Sequence, residues 1–401
     1  MRAVCRRCLV KGIAHMLGAV AFSLCCCFAT GSARAEGPSP RSAGLWVDAG
    51  SWEVSGGDIS QSVTGLWMNV AVGPDLEARI EASGSRAEND AASRGFGQGL
   101  TGALLVRYQP RGEDWLLQLG AGLPSGGTGL NSSELALIQQ IGEPVLGFPD
   151  ADPVRGWRYH MGGLYGVALS HCMSCYAGAG YEFAASFEPV GDIQLEPGNR
   201  LSGLLGLEAE QQGRVRGGLQ FMASAEGAEK ADGRITRDSR RFLSARLSGQ
   251  AHLDPLLLDM ACQLASTGAT QLAALDAYDS FVDAGPGRLG QIAISIASVR
   301  SFSLGGQWRI QPSVTCDHRS FTSEGLAYGE GWAASLTPEL RLTANEREAV
   351  LSVGKCWGKW RPWLGEELGP REEIDGLRVT LELLWRLTEA AANTAADDTG
   401  Q

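Results

Sequence analysis

The sequence predicts an all-β protein: a closed antiparallel transmembrane β-barrel of about sixteen strands, with fourteen as the lower count. Three observations carry this expectation. An export signal is followed by no helix able to span a membrane, apolar and polar residues alternate in strand-length stretches, and the connections are short and long by turns.

Arg2, Arg6, Arg7 and Lys11 form a positively charged start, and Ile13 to Ala29 is an uncharged, mostly apolar run. Ala33-Arg34-Ala35 then offers small residues at the two positions a signal peptidase reads, so residues 1–35 are expected to be removed before Glu36. Cys25, Cys26 and Cys27 raise a lipoprotein alternative, but Phe22-Ser23-Leu24 lacks the small pair expected ahead of a lipidated cysteine. Beyond residue 35 there is no run of ~18 consecutive apolar residues, which leaves either a soluble exported protein or a barrel.

Composition narrows the class further. Hydrophobic residues make up 44% of the 401, too many for a disordered chain. The 54 glycines are nearly twice the usual share of roughly 7%, yet no period of three suggests collagen. The signal segment holds five of the 34 basic residues and none of the 45 acidic ones, so the remaining 366 carry a net charge of -16. That excludes the basic footprint of a nucleic-acid binder. Cys172, Cys175, Cys262, Cys316 and Cys356 remain, an odd and mostly scattered set that does not form a disulfide framework.

Alternation favours the barrel. Leu76, Ala78, Ile80 and Ala82 oppose Glu77, Arg79, Glu81 and Ser83. Trp308, Ile310 and Val314 oppose Arg309, Gln311 and Ser313, and the period recurs over 332–342 and 377–387. Each stretch runs about 9–11 residues, the length a tilted strand needs to cross hydrocarbon. Short turns are expected at 73–75, 110–114, 171–175, 211–213, 254–255, 305–306 and 344–347. Longer polar connections fall near 55–61, 85–96, 125–156, 188–198, 225–240, 272–288, 320–331 and 358–374. Seven short and eight long connections join sixteen strands, and weak alternation over 256–300 leaves that count open by two. Trp46, Trp67, Trp115, Trp157, Trp308, Trp332 and Trp385 fall near strand ends, as interfacial girdles require. A soluble two-sheet protein would alternate too, but it predicts turns of similar length at both ends.

The expected organisation is a short periplasmic segment (36–43), the barrel (44–387) and a flexible tail (388–401). Outer-membrane barrels commonly end on an aromatic residue read by the assembly machinery, and Trp385 would be an internal form of that signal.

The longest connection, 125–156, is the third long loop. Ser132-Ser133-Glu134 can cap a short helix, and Leu135, Leu137, Ile138 and Ile141 give it an apolar side. In sixteen-stranded porins the third loop folds into the lumen and narrows it. On that reading Glu134, Asp150 and Asp152 face inward-pointing arginines and set a transverse field; by alternation these are Arg79, Arg107, Arg214, Arg216, Arg246 and Arg309. The alternative is a helix packed on the barrel rim or covering its mouth.

Cys172-Met173-Ser174-Cys175 lies at a predicted short turn, where a local disulfide is expected. No role, or metal or redox chemistry, are the alternatives, although His171 brings the candidate ligands only to three. No catalytic residue is assigned and no enzyme is expected: His160, His171, His252 and His318 stand outside any nucleophile motif, and no Gly-x-Ser-x-Gly elbow or phosphate loop occurs. No cofactor or metal is expected. The acidic stretch 365–373 reads as a solvated loop, with divalent-cation binding beside lipopolysaccharide as the weaker reading.

At Leu117 to Gly126 (LQLGAGLPSG) the chain resembles a strand-to-loop passage of Gram-negative outer-membrane uptake barrels, the phenol-degradation-associated and long-chain-fatty-acid-transporter-like families. Ser132 to Pro149 and Tyr181 to Gly198 share in the resemblance, which spans about a fifth of the chain. It implies passive uptake of small solutes, apolar or aromatic ones among them. The fatty-acid transporters carry an N-terminal plug, whereas only Glu36 to Ala43 precede the first strand here, which favours an open or loop-gated channel. The expected function is therefore a porin-like channel in the bacterial outer membrane, with a non-transport barrel (a scaffold, or a lipid-modifying enzyme) as the alternative. Its expected partners are outer-membrane lipid and lipopolysaccharide, the barrel-assembly machinery and a small-molecule solute.

Overall fold

A pleated strand sends successive side chains to opposite faces, so a sheet of alternating strands has one apolar and one polar surface. Closing that sheet on itself pairs every edge and turns one face outward all the way round. The computed structural model describes residues 42–54, 57–96, 102–110, 113–124, 130–142, 145–148, 156–190, 193–211, 213–268, 270–274, 277–284, 287–323, 330–362 and 368–386. The expected signal peptide, most of the segment 36–43 and the tail 388–401 lie outside them.

Sixteen strands form the wall. They are β1 (Ser42–Val54), β2 (Gly57–Ala71), β3 (Leu76–Glu88), β4 (Gly102–Tyr108), β5 (Trp115–Gly122) and β6 (Arg158–Ser170). There follow β7 (Met173–Ala184), β8 (Arg200–Gln211), β9 (Val215–Glu226), β10 (Arg240–Leu253) and β11 (Leu256–Thr267). The last five are β12 (Gly287–Ser298), β13 (Trp308–Ser323), β14 (Glu330–Ala344), β15 (Arg347–Arg361) and β16 (Glu372–Arg386). Each pairs antiparallel with its chain neighbours, and β1 meets β16 in register from Ser42↔Arg386 to Glu53↔Asp375, which closes the barrel. The weakly alternating region 256–300 resolves into β11 and β12, paired from Leu256↔Ser298 to Thr267↔Gly287, with an outer hairpin between them.

The outward face is apolar. Leu205, Leu243 and Leu264 are about 60% exposed, and Phe221 51%, although each would cost about 1.5–3 kcal/mol to leave in water. Such a wall is the surface that hydrocarbon covers in a transmembrane barrel. No helix among the described residues is long and apolar enough to cross a membrane.

Aromatic residues gather at both rims. At the short-turn end Tyr108 packs edge-on against Trp115, with ring centres 5.6 Å apart. At the other end Trp157, Tyr159 and Phe183 run in sequence at 6.1 and 6.2 Å, and His318 stacks on Trp332 at 5.9 Å. Trp46 and Trp67 depart from the girdle expectation and face the lumen. Each ring lies over a glycine of the facing strand: a Cβ on Gly44 would stand 2.6 Å from Trp67, and one on Gly65 2.7 Å from Trp46.

The connections differ from expectation in detail. The first, expected over 55–61, is a tight reversal, since Val54 already pairs with Gly57 and Trp52 with Ile59. Three later ones are structured. Hairpins Phe187–Val190/Ile193–Glu196, Glu229–Ala231/Arg234–Arg237 and Thr270–Ala274/Ala277–Ala284 join into one six-stranded sheet outside the barrel. The middle hairpin turns on Asp232-Gly233, both with positive φ (49° and 77°), the turn an Asp-Gly pair favours.

The disulfide expected at Cys172 and Cys175 is absent, and both are free thiols. Cys172 lies in the turn and Cys175 in extended β7, so the two are carried on different elements rather than set side by side. A maleimide reagent is therefore expected to modify exposed Cys172 in the folded protein and to spare buried Cys356 until denaturation. An intact mass two hydrogens lighter, restored by reductant, would restore the disulfide instead.

At the closing seam Arg378 of β16 grips Asp48 of β1 with both arms of its guanidinium, Nε to Oδ1 at 2.9 Å and Nη2 to Oδ2 at 2.5 Å. Asp48 is buried. Arg378→Leu should lower barrel stability by about 1–3 kcal/mol in urea titrations followed by heat-modifiable gel mobility, and Arg378→Lys by less. Unchanged stability in Arg378→Leu would remove the seam pair as a stabilising contact.

Candidate functional site

The third long connection carries the only described helix, α1 (Ser132–Ile141). Its first turn is closed by a capping box: Asn131 Oδ1 accepts from the Glu134 amide at 3.0 Å, and Glu134 Oε2 from the Asn131 amide at 2.9 Å. At its end the Gly142 amide donates to Ile138 O at 3.0 Å. One face of α1 thus presents Leu137 and Ile141, and the chain continues through Val145, Leu146 and Phe148, all of them buried.

These apolar groups lie against the inner wall. Their partners are inward-pointing residues of six strands on both sides of the seam: Trp52, Ala87, Phe321, Ala333, Trp360 and Ile374. Trp52 Nε1 donates to Leu146 O at 2.9 Å in a buried hydrogen bond, and Asn89 Nδ2 to Gln140 Oε1 at 2.9 Å. The loop penetrates below Trp52, for the Phe148 ring stands 3.7 Å from where a Cβ on Gly50 would be. Gly147 turns the chain there with φ +57°, and the Arg319 guanidinium fills the space a side chain would take.

The wall across the lumen is charged. Glu182, Arg200, Glu226 and Arg240 are successive cross-strand neighbours on the inner face of β7 to β10, alternating in sign. Arg240 Nε lies 2.5 Å and Arg237 3.2 Å from Glu226, and Arg158 lies 3.3 Å from Glu182. Glu182, Arg200, Glu226 and Arg240, with Gln118 and His160, whose side-chain nitrogens meet at 3.0 Å, line a cavity of about 410 Å³. Nearer the short turns, Glu208, Arg216, Arg246, Gln250 and Asp259 line a second, of about 270 Å³. Arg216 pairs with Glu208 at 3.1 Å, and Gln250 donates to Asp259 at 2.7 Å. The lumen on this side is polar and holds both signs of charge.

The sequence-derived candidates separate within this frame. Arg79, Arg107, Arg216, Arg246 and Arg309 stand on strand faces opposite the exposed apolar residues, as alternation requires. Arg79 pairs with Glu81 and lies 5.0 Å over the Trp67 ring. Arg107 keeps a buried Nε with no hydrogen-bond partner among the described residues. Arg214 departs from the pattern: the chain reverses at Gly213 (φ +67°), so Arg214 sits in the turn between β8 and β9. Glu134 caps the helix, and Asp150 and Asp152 lie outside the described residues. The acids that meet arginines on the inner face are wall residues, Asp48, Glu81, Glu182, Glu208, Glu226 and Asp317 among them, which the same period of two could have placed there. His318 is outward, stacked on Trp332, while His160 faces the lumen. No group of three His, Cys, Asp or Glu residues among those described is placed to hold a metal ion.

No family model matches the sequence, and no curated protein does either. Among solved structures the chain is similar to a bacterial polysaccharide outer membrane secretin at 11% identity, over 86% of this chain and 98% of that one, with a TM-score of 0.46. It is also similar to the outer membrane channel DcaP of Acinetobacter baumannii (10% identity, 86% and 96% covered, TM-score 0.44). A third is an anion-selective porin from Comamonas acidovorans (11%, 87% and 100%, TM-score 0.42). Likenesses this distant assign neither family nor solute to this chain.

The loop's attachment is open to test. Trp52→Phe keeps an aromatic ring on the wall but removes the donor to Leu146 O, and should weaken docking of the loop by about 1–2 kcal/mol. The expected sign is faster limited proteolysis within 130–148 with the barrel core intact. An unchanged cleavage rate would show that packing alone holds the loop.

Proposed function

We propose that this protein is a bacterial outer-membrane channel for passive diffusion of small water-soluble solutes, with the infolded third loop as its constriction. The observation that carries this reading is the position of residues 130–148, packed on one inner wall while charged side chains line the other. A solute crossing such a lumen exchanges part of its hydration for arginine and carboxylate contacts, and width and charge select it together. The apolar outer wall and two aromatic rims support the membrane location, the short turns lying on the periplasmic side. Residues 1–35 then act as the export signal, and the assembly machinery and lipopolysaccharide are partners on this reading.

The charged wall favours hydrophilic cargo; apolar or aromatic cargo rests on the short resemblance around Leu117 to Gly126. The test is single-channel conductance of refolded residues 36–401 in planar bilayers. Stepwise openings are expected, and deleting residues 132–148 should enlarge the step. A folded, heat-modifiable barrel that never conducts would overturn the channel and leave a scaffold or a lipid-acting barrel.

A further inference from the structure

The two tryptophans on the inner wall belong to a repeated motif in which one residue differs. Trp46 faces Gly65 and Gly44 faces Trp67 on successive inward rungs of β1 and β2, so a local two-fold axis relates the indoles. Both rings lie flat on the sheet. Cε2, Nε1 and Cζ2 of Trp46 stand 2.7–2.9 Å from where a Cβ on Gly65 would be, and those of Trp67 2.6–2.8 Å from one on Gly44. Only glycine lets a ring settle so low, and the ring's other face is then turned toward the lumen.

Over Trp67 the chain supplies its own cation. Glu81 of β3 is the cross-strand neighbour of Trp67, and Arg79 faces Asn69 on the next inward rung. Arg79 pairs with Glu81 and carries its guanidinium 5.0 Å from the centre of the Trp67 ring. An indole face and a carboxylate hold the cation together, the combination that recognises ammonium and guanidinium groups.

The same axis carries Glu81 onto Glu382 of β16, the cross-strand neighbour of Trp46, and Arg79 onto Thr380, which faces Asp48. Threonine is uncharged and too short to reach over the ring. Half-buried Glu382 makes no ion pair or hydrogen bond among the described residues. Arg341 is shared by Glu339 at 3.6 Å and Glu348 at 3.3 Å, and Arg378 is gripped by Asp48. Trp46 and Glu382 therefore offer the lumen the pair of groups that Arg79 occupies on Trp67 and Glu81.

We propose that Trp46 and Glu382 seat an organic cation, the ammonium or guanidinium group of a solute in transit. The cation lies over the Trp46 ring and against the Glu382 carboxylate. Trp46 is two inward rungs from Gly50, beside which Phe148 of the infolded loop stands, on the side of the short turns. The seat deepens the channel reading and rests on it for the approach of the solute, which meets the constriction first.

Isothermal titration of the refolded chain (residues 36–401) in detergent tests this, with choline as the cation and 3,3-dimethylbutanol as its uncharged isostere. The wild type should bind the alcohol about tenfold more weakly than choline. Glu382→Gln, which keeps the shape of the side chain, should weaken choline about tenfold. Thr380→Arg should abolish choline binding, because it brings a guanidinium of the chain over Trp46. Heat-modifiable gel mobility identifies the folded variants. Equal binding of choline and the alcohol overturns the site and assigns the indoles to apolar solutes. Undiminished choline binding by Glu382→Gln or by folded Thr380→Arg overturns it as well, as does a folded wild type that binds no choline, whatever its conductance. Choline binding that Glu382→Gln weakens, in a barrel that never conducts, would sink the channel reading and leave the seat standing.

Discussion

Pairing of backbone amides and carbonyls is the constraint on which everything else in this molecule depends. In hydrocarbon an unpaired peptide group has no water to turn to, so a spanning sheet has no tolerable edge. The register of Ser42 with Arg386 removes the last edge, and the Asp48–Arg378 fork sits within that seam. Once the sheet is closed the pleat alone determines which residues meet lipid and which meet the lumen. A slip of one residue between β1 and β16 would exchange the two sets.

That division explains why the interior can be heterogeneous. One arc of the inner wall is apolar, with Trp52, Phe321, Trp360 and Ile374, and it would be poorly solvated if left bare. Leu137, Ile141, Leu146 and Phe148 cover it, so the loop is driven inward by the same burial that forms a soluble core. The remaining arc carries Glu182, Arg200, Glu226 and Arg240 and stays wet. Narrowing and polarity therefore come from different parts of the chain. The loop supplies bulk, and the strands supply charge.

Strand number and facing were legible because they depend on a period of two and on turn chemistry, both local. The third loop's helix was legible too, from Ser132-Ser133-Glu134 and the spacing of Leu137 and Ile141, although the capping side chain is Asn131, one residue before the expected caps. The role of Glu134 was less so, because a cap and a lumen acid are written with the same residue. Arg214 misleads for a related reason: alternation holds only while the strand continues, and Gly213 ends it. Trp46 and Trp67 fall near strand ends, yet they face inward, each over the glycine directly opposite it on the neighbouring strand, Gly65 and Gly44. The outer six-stranded sheet was hidden for a deeper reason, since three hairpins far apart in sequence pair only after the barrel has brought them side by side.

The infolded loop touches both sides of the seam, Trp52 on β1 and Ile374 on β16, as well as β3, β13, β14 and β15. Its docking surface therefore does not exist until the two ends of the chain have met. A half-zipped intermediate has no place to lodge Leu146 and Phe148, and its opening stays wide. On the channel reading proposed above, the constriction is in this sense a certificate of completed assembly: a chain that stalled short of closure would span the membrane, if at all, without the loop that narrows it.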